Sequence, residues 1–398
     1  MRQNKKNILI LGAGVYQVPA IKKAKELGYN TIVLSYNIEE YPGSKFADIA
    51  LNVDTTDIPK VLEVARKYNV RGVFTTGTDV ALPALGKVND ELNLVGSSYE
   101  TCTLSTNKLL MKKKFEENGV PTSRFEIVDG VEQAKKAANL IGYPVMVKAT
   151  NSSGSRGITK ANSDTELETS WGFAKKYSKN KESILIEEFL EGKEFGIQAF
   201  IHNKEVKLIC VHNTTTTPPP HCVPIGHSYP FKNVEILDEV ESICKKGIKA
   251  LKMNNCAANM DLIQTEDGIK IFEIGARMGG TCIPELIEVY TGIDVTKECI
   301  KISMGKKPNF QVQKKQAVAA MLITSKKAGI FKSAIIPQEI KDSPYIVNIS
   351  RDINEGDSVN SFQIGPDRIG EIIVKGDNVE TAEKRCIDFM NQIKIELV

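Results

Sequence analysis

Tryptophan occurs once in these 398 residues and histidine only four times. The eight cysteines, at 102, 210, 222, 244, 256, 282, 299 and 386, include no Cys-x-x-Cys pair and no zinc spacing. Scattered in this way they fit a reducing compartment, each acting as a small apolar side chain, so a cytoplasmic location is expected. No apolar run approaches the length that crosses a bilayer. No block of one charge stands out either: 52 basic against 49 acidic residues leave +3. KKYSKNK, Lys175 to Lys181, reads as a solvated helix end. Nucleic acid and membrane are therefore not expected as partners. Basic residues before Ile8–Leu11 superficially match a signal peptide, but that run stops at a glycine and leads into a helical pattern. It reads as a first strand. No repeat or low-complexity stretch is present apart from TTTTPPP.

What is present exceeds one ordinary core, so two or three domains are expected. The first hundred residues alternate strand and helix. NILILGAG, TIVLSYN, IALNVD and VRGVFTTGTD read as strands; VPAIKKAKELG, IPKVLEVARKYN and VALPALGKVNDEL read as helices. That rhythm predicts a doubly wound parallel sheet. Ligands of such sheets sit at the carboxyl ends of the strands, which makes Gly12, Ala13, Gly14, Thr76 and Asp79 candidates to line a crevice. A dinucleotide site is poorly supported, because Gln17 stands where the third glycine belongs and Ser35-Tyr36-Asn37 offers no acid to a ribose.

From Ser105 the character changes to α+β. Three features carry chemistry. In CAANMDLIQ-TEDG-IKIFEIG, a hairpin whose loop is Glu266-Asp267-Gly268 sets Thr265 against Ile269 and Asp261 against Glu273. Two facing carboxylates repel unless a cation lies between them, and Mg²⁺ suits such a pair when phosphate completes its shell. Next, VMVKAT ends an apolar strand on Lys148 and runs into NSSGSRG, a loop rich in backbone N–H groups and hydroxyls that can fold over phosphates. It is not a Walker A loop. Last, EEFLEGKEF reads as two strands around Leu190 to Lys193, with backbone to offer a flat base and Glu194 to offer a ribose.

Taken in this order the chain resembles the ATP-grasp superfamily. The resemblance spans residues 1 to about 310 and is strongest through 105–290. It implies an N-terminal α/β domain over 1–104, an ATP-grasp lid lobe over 105–186, a C-lobe with the Mg²⁺ site over 187–310 and a small C-terminal α+β subdomain over 311–398. It implies that Lys108 and Lys148 hold the α- and β-phosphates of ATP, while Ser153, Gly154, Ser155 and Gly157 close over the triphosphate. Glu187, with the backbone of Glu188 and Leu190, would read adenine, and Glu194 the ribose. Asp261 and Glu273 would hold Mg²⁺, or Mn²⁺, and Arg277 the developing acyl phosphate. The family usually has Glu-x-Asn before that arginine; here Gly275 stands instead, and Asn259, on the face of Asp261, is a stand-in.

Such chemistry converts a carboxylate to an acyl phosphate, which an amine then displaces; no dedicated base is required once the amine is deprotonated. The N-terminal residues are similar to those of purine-biosynthesis members. PPPHCVPIGHSYPF, by contrast, looks like the loop of L-amino-acid ligases, in which His221 and His227 would meet a carboxylate or amine. The tail DRIGEIIVKGDNVETA resembles the C-terminal subdomain of that ligase group. The expectation is a carboxylate–amine ligase for an amino acid or small metabolite, with a homodimer as the expected assembly. The alternatives are a purine-pathway enzyme and an ATP-binding regulatory protein without turnover.

Overall fold

The computed structural model describes residues 5–150, 157–178, 183–218 and 223–398. Four parallel strands, β1 (Asn7–Leu11), β2 (Asn30–Ser35), β3 (Ile49–Asn52) and β4 (Val73–Phe74), form a first sheet in the order β3-β2-β1-β4. Its helices are α1 (Val18–Glu26), α2 (Ile58–Lys67) and α3 (Leu82–Leu92). Ile8 through Leu11 have no exposed surface, as expected for a parallel strand covered on both faces. The predicted strand VRGVFTTGTD is cut to two residues. Thr75 Oγ1 donates to the Leu11 carbonyl, and the chain turns at Gly77, whose φ of +64° suits glycine.

Helices α4 (Tyr99–Thr106) and α5 (Lys108–Glu117) lead to a second, antiparallel sheet. It contains β5 (Phe125–Val128), β6 (Val145–Ala149), β7 (Ile158–Ala161) and β8 (Ile184–Glu188), in the order β5-β8-β6-β7. Helices α6 (Val131–Ile141) and α7 (Asp164–Tyr177) cover it around an aliphatic core that includes Val145, Val147, Ile184 and Ile186.

The third sheet has eight strands. It draws on β9 (Lys193–His202), β10 (Glu205–Thr216), β11 (Pro224–Tyr229), β12 (Cys256–Thr265), β13 (Gly268–Gly275) and β14 (Val318–Ile323). After β15 (Gly329–Ile335) it resumes with β16 (Ile346–Arg351) and, beyond β17 (Ser358–Val359), with β18 (Gly370–Lys375). The order is β13-β12-β9-β10-β11-β14-β18-β16, so strands from the tail extend the same sheet. β15, β17 and the last strand, β19 (Lys394–Leu397), make a small separate sheet. The helices here are α8 (Leu237–Ala250), α9 (Ile283–Thr291), α10 (Val295–Ser303), α11 (Gln338–Lys341) and α12 (Val379–Met390). Among the described residues no helix is long and apolar enough to cross a membrane.

Two local readings change. β10 runs through Thr214 to Thr216, and PIGHSY is strand β11, so the segment around His227 is sheet rather than loop. β-branched threonines favour the pleat. The hairpin turn is also shorter than expected: Thr265 pairs with Gly268, leaving Glu266-Asp267 as the turn. A bulge between Asp261 and Leu262 then absorbs Phe272, and Asp261 still meets Glu273.

The two faces of the large sheet serve different cores. One holds Ile197, Ala199, Met260 and Leu262 with α8 and with Leu9 and Leu11 of the first sheet. The other holds Phe200, Cys210, Tyr229, Val318 and Ala320 with α9, α10 and the α1 side of the first sheet. Phe200 is fully buried and stacks on Phe310 with centroids 5.1 Å apart. Phe200→Ala should cost about 3–5 kcal/mol, read as a lower unfolding midpoint; an unchanged midpoint would mean that this face is not cohesive.

Candidate active site

Register builds the site. Glu273 faces Asp261, Asp261 faces Gly196 and Gly196 faces His212, so four strands present these positions in one row on one face. A Cβ at residue 196 would lie 2.3 Å from the His212 ring, which is why this strand carries glycine there. Glu194, two residues before Gly196, and Gln198, two after, share the face. The Asp261 side chain is open to solvent. Crowding by protein and the facing Glu273 push that carboxyl up to about 6; Asp79 and Glu194 add to the rise, and Arg277 opposes it. Asn259 lies opposite Gly275, and its buried Oδ1 has no hydrogen-bond partner among the described residues. Two carboxylates and a spare amide oxygen form an oxygen-only donor set, which fits a hard cation such as Mg²⁺ or Mn²⁺.

The lysines approach from α5 and β6. Asn107 Oδ1 accepts from the Leu110 N–H at 3.1 Å and starts α5, whose buried face repeats at Lys108, Met111, Lys112 and Phe115. Lys108 Nζ contacts Glu273 Oε1 at 3.0 Å. Although burial works against its charge, Glu273 holds the Lys108 ammonium above its ordinary value. Lys148 Nζ lies 3.0 Å from Glu187 Oε2. Sequence reading passed over Lys112, one turn beyond Lys108. Its Nζ donates to Thr122 Oγ1 at 2.6 Å and Ser123 Oγ at 2.9 Å and lies 3.4 Å from Glu187. The i, i+4 spacing from Lys108 was the available signal.

Glu187 has a part the sequence reading did not assign it. Its carboxylate is buried and contacts Lys148, Lys112 and Ser123, so it anchors the lysines. Glu188 likewise spends its N–H on the Arg124 carbonyl at 2.9 Å and its carboxylate on the Arg124 backbone and guanidinium. The expected two strands around Leu190 exist but do not pair with each other. β8 belongs to the second sheet and β9 to the third, and buried Leu190 lies in the crossing between them.

Arg277 meets Asp79. Nε and Nη2 of the guanidinium lie 2.8 Å from the two carboxylate oxygens, and Nη1 donates to the Met278 carbonyl at 3.3 Å. This two-point pair joins the end of β13 to the segment after β4. It also accounts for Gly275, where a Cβ would stand 2.9 Å from Asp79 Oδ1 and 3.4 Å from Arg277 Cζ. The space that an asparagine side chain would fill is taken by the ion pair.

Other expected residues lie elsewhere. Gly14 donates its N–H to Gln17 Oε1 at 2.9 Å, and Gln17 Nε2 donates to the Thr76 carbonyl, so both backbone groups are already used. Gln17, the misfit in a dinucleotide motif, therefore staples the first turn to the end of β4. His227 is not on a surface loop. It is buried in β11, its ring centroid 4.6 Å from that of His212, and burial with His212 beside it lowers its pKa. Gly157 turns at φ +69° and accepts from the Ala149 N–H at 3.0 Å. Ser153, Gly154, Ser155 and His221 lie outside the described residues.

The buried cluster has a pH signature. Burial raises the Glu187 pKa, but Lys112 and Lys148 outweigh it and hold the carboxyl at about 2 against an ordinary 4.5. A lowered pKa means that its stabilisation is complete above 4.5 and is lost as pH falls toward 2. Glu187→Gln should cost about 3–5 kcal/mol at neutral pH by stranding the lysines and should flatten the acid limb in denaturant titrations. An unaltered acid limb would refute the assignment.

Comparison with known proteins agrees with this geometry. Residues 107–310 match the carbamoyl-phosphate synthase L chain ATP binding domain, and residues 321–398 match the L-amino acid ligase C-terminal domain 2. The L-arginine-specific L-amino acid ligase of Bacillus subtilis is 23% identical over 318 residues, 78% of this chain and 77% of that one. A phosphoribosylglycinamide synthetase structure from Anaerococcus prevotii superposes with TM-score 0.83 at 30% identity, covering 99% of this chain and 100% of the other. An L-amino acid ligase structure from Bacillus licheniformis superposes with TM-score 0.85 at 18% identity over all of both chains. The ATP-binding domain match over half the chain, the tail match and the shared fold place this protein among the ATP-grasp ligases.

Proposed function

We propose that the protein joins a carboxylate to an amine through an acyl phosphate, releasing ADP and phosphate, with an amino acid or small metabolite as substrate. The observation that carries this reading is the clustering of Asp261, Glu273, Lys108 and Arg277 around one another. The tail match to an L-amino acid ligase domain favours amino-acid substrates. In this reading Lys108 and Lys148, aligned by Glu273 and Glu187, receive ATP phosphates as fixed cations. Glu194, on the rim of the same face, suits a ribose. A divalent ion held by Asp261 and Glu273, with Asn259 Oδ1 nearby, would neutralise charge on phosphoryl oxygens. Arg277 is held by Asp79 and Met278, and its N–H groups beyond those bonds would meet the charge that develops as the acyl phosphate forms.

Gly275 is no sign of lost turnover in this reading, since Asp79 and Arg277 fill its place. The 30% identity to a phosphoribosylglycinamide synthetase supports the second reading, a purine-pathway ligase. The deciding assay measures ADP and phosphate release with Mg-ATP against pooled amino acids and, separately, pooled purine-pathway ribonucleotides. Release with amino acids supports the first reading, release only with ribonucleotides the second, and neither sinks both.

Glu273→Gln should lower Mg²⁺-dependent turnover by roughly 10²–10³-fold, so a wild-type rate would remove Glu273 from the metal. Arg277→Ala should reduce kcat by roughly the same factor with KM for ATP little changed. A change confined to KM for ATP would move Arg277 to the nucleotide. Asp79→Asn should give the same pattern more weakly, because it loosens the guanidinium without removing it.

A further inference from the structure

A cavity of about 600 Å³ lies between the first sheet and the tail strands of the third. Thr76, Gly279 and Gly280, close in sequence to Asp79 and Arg277, line one part of it. Tyr16 is another wall: its ring fills the space a Cβ would need at Gly77 and Gly280, and the Arg368 guanidinium lies 5.0 Å from its centroid. Lys22, Lys45 and Arg351 form an exposed rim.

The interior has a charge imbalance. Three carboxylates, Glu285, Asp352 and Glu371, line it with one buried guanidinium, Arg368. Arg368 stands 2.6 Å from Asp352 and 3.1 Å from Glu371, and Glu371 also accepts from Cys282 Sγ at 2.9 Å. Both ion contacts are off-axis, so Nε and Nη1 of this buried arginine have no hydrogen-bond partner among the described residues. Glu285, in the first turn of α9, is the third carboxylate, and no ion pair to it exists among the described residues. A half-buried carboxylate without a cation is costly unless a ligand brings a positive charge or a proton.

We propose that the amine co-substrate enters this cavity as an ammonium ion and that Glu285 takes its proton before it attacks the acyl phosphate. The inference rests on the ligase reading above and adds a base where no sequence motif pointed to one. An N–H bond of the ammonium breaks to a Glu285 oxygen, and the freed lone pair forms the C–N bond to the acyl carbon. The C–O bond to phosphorus's bridging oxygen breaks with its electrons leaving on phosphate, which carries away the second nitrogen proton. Burial, with Glu371 adding to it, pushes the Glu285 carboxyl up to about 7, a value suited to exchanging protons near neutrality.

Hydroxylamine separates the steps. It is neutral at the assay pH and traps an acyl phosphate as a hydroxamate without help from a base. With carboxylates that stimulate ADP release, Glu285→Gln should form hydroxamate within about twofold of wild type while amide formation from amino acids falls roughly 10²-fold. Glu285→Asp should recover part of the amide rate. Wild-type amide formation by Glu285→Gln would overturn the proposal and leave the ligase reading standing. Equal loss of hydroxamate and amide would assign Glu285 a structural part and overturn it too. Absence of hydroxamate from the wild-type protein with every carboxylate would defeat the ligase reading and this inference with it.

Discussion

The pairing of Asp79 with Arg277 joins residues almost two hundred positions apart and ties the crevice of the first sheet to the end of β13. A planar guanidinium held at two points cannot rotate away, so the segment 277–280 is fixed relative to Thr76 and Gly77. The Gly77 N–H to the Met278 carbonyl, at 3.1 Å, reinforces the same junction. Much follows from this contact. It dictates glycine at 275, where any side chain would enter the ion pair, and it brings Gly280 against Tyr16 at the wall of the cavity. One ion pair thus lies beside the Asp261–Glu273 row and within three residues of Thr76, Gly279 and Gly280 on the cavity wall.

The third sheet then acts as a ruler. Because strand neighbours share a face, Glu273, Asp261, Gly196 and His212 fall in line, and the identity of each constrains the next. Glycine at 196 makes room for His212; the bulge at Phe272 lets a two-residue turn coexist with the facing acids. Phe272 also turns its ring toward Lys148, 5.9 Å from Nζ to centroid. The other end of this face is apolar and packs on α9, whose Tyr290 stacks on Tyr229 at 5.3 Å. Chemistry and cohesion share one surface.

Buried lysines are the other notable feature. Lys108 and Lys112 lie on the interior face of α5, and each is retained by a carboxylate from a different sheet: Glu273 from the third and Glu187 from the second. The helix is therefore a strut between the two sheets. Any displacement of one sheet would leave a charge unpaired in a place of low polarity, which favours a single arrangement of the cleft.

Much was legible in the order of residues. The βαβ rhythm gave the first sheet because parallel strands bury both faces and need helical crossovers. The alternation before and after Glu266-Asp267 placed Asp261 against Glu273, although a bulge compensated for a turn read one residue too long. Lys148 at the end of an apolar strand and the motif order to Arg277 pointed to ATP-grasp ligases, which the domain matches bear out. The partners were not legible, because they come from segments far apart in the chain. Nothing local links Asp79 to Arg277, Glu187 to Lys112 or Cys282 to Glu371 of the tail. A carboxylate's role depends on which cation reaches it: Glu187 anchors lysines because two arrive, and Glu285 has no ion pair among the described residues, Asp352 and Glu371 holding Arg368. Sequence pattern set the strands and the candidate chemistry; packing decided which charges are paired among the described residues and which are not.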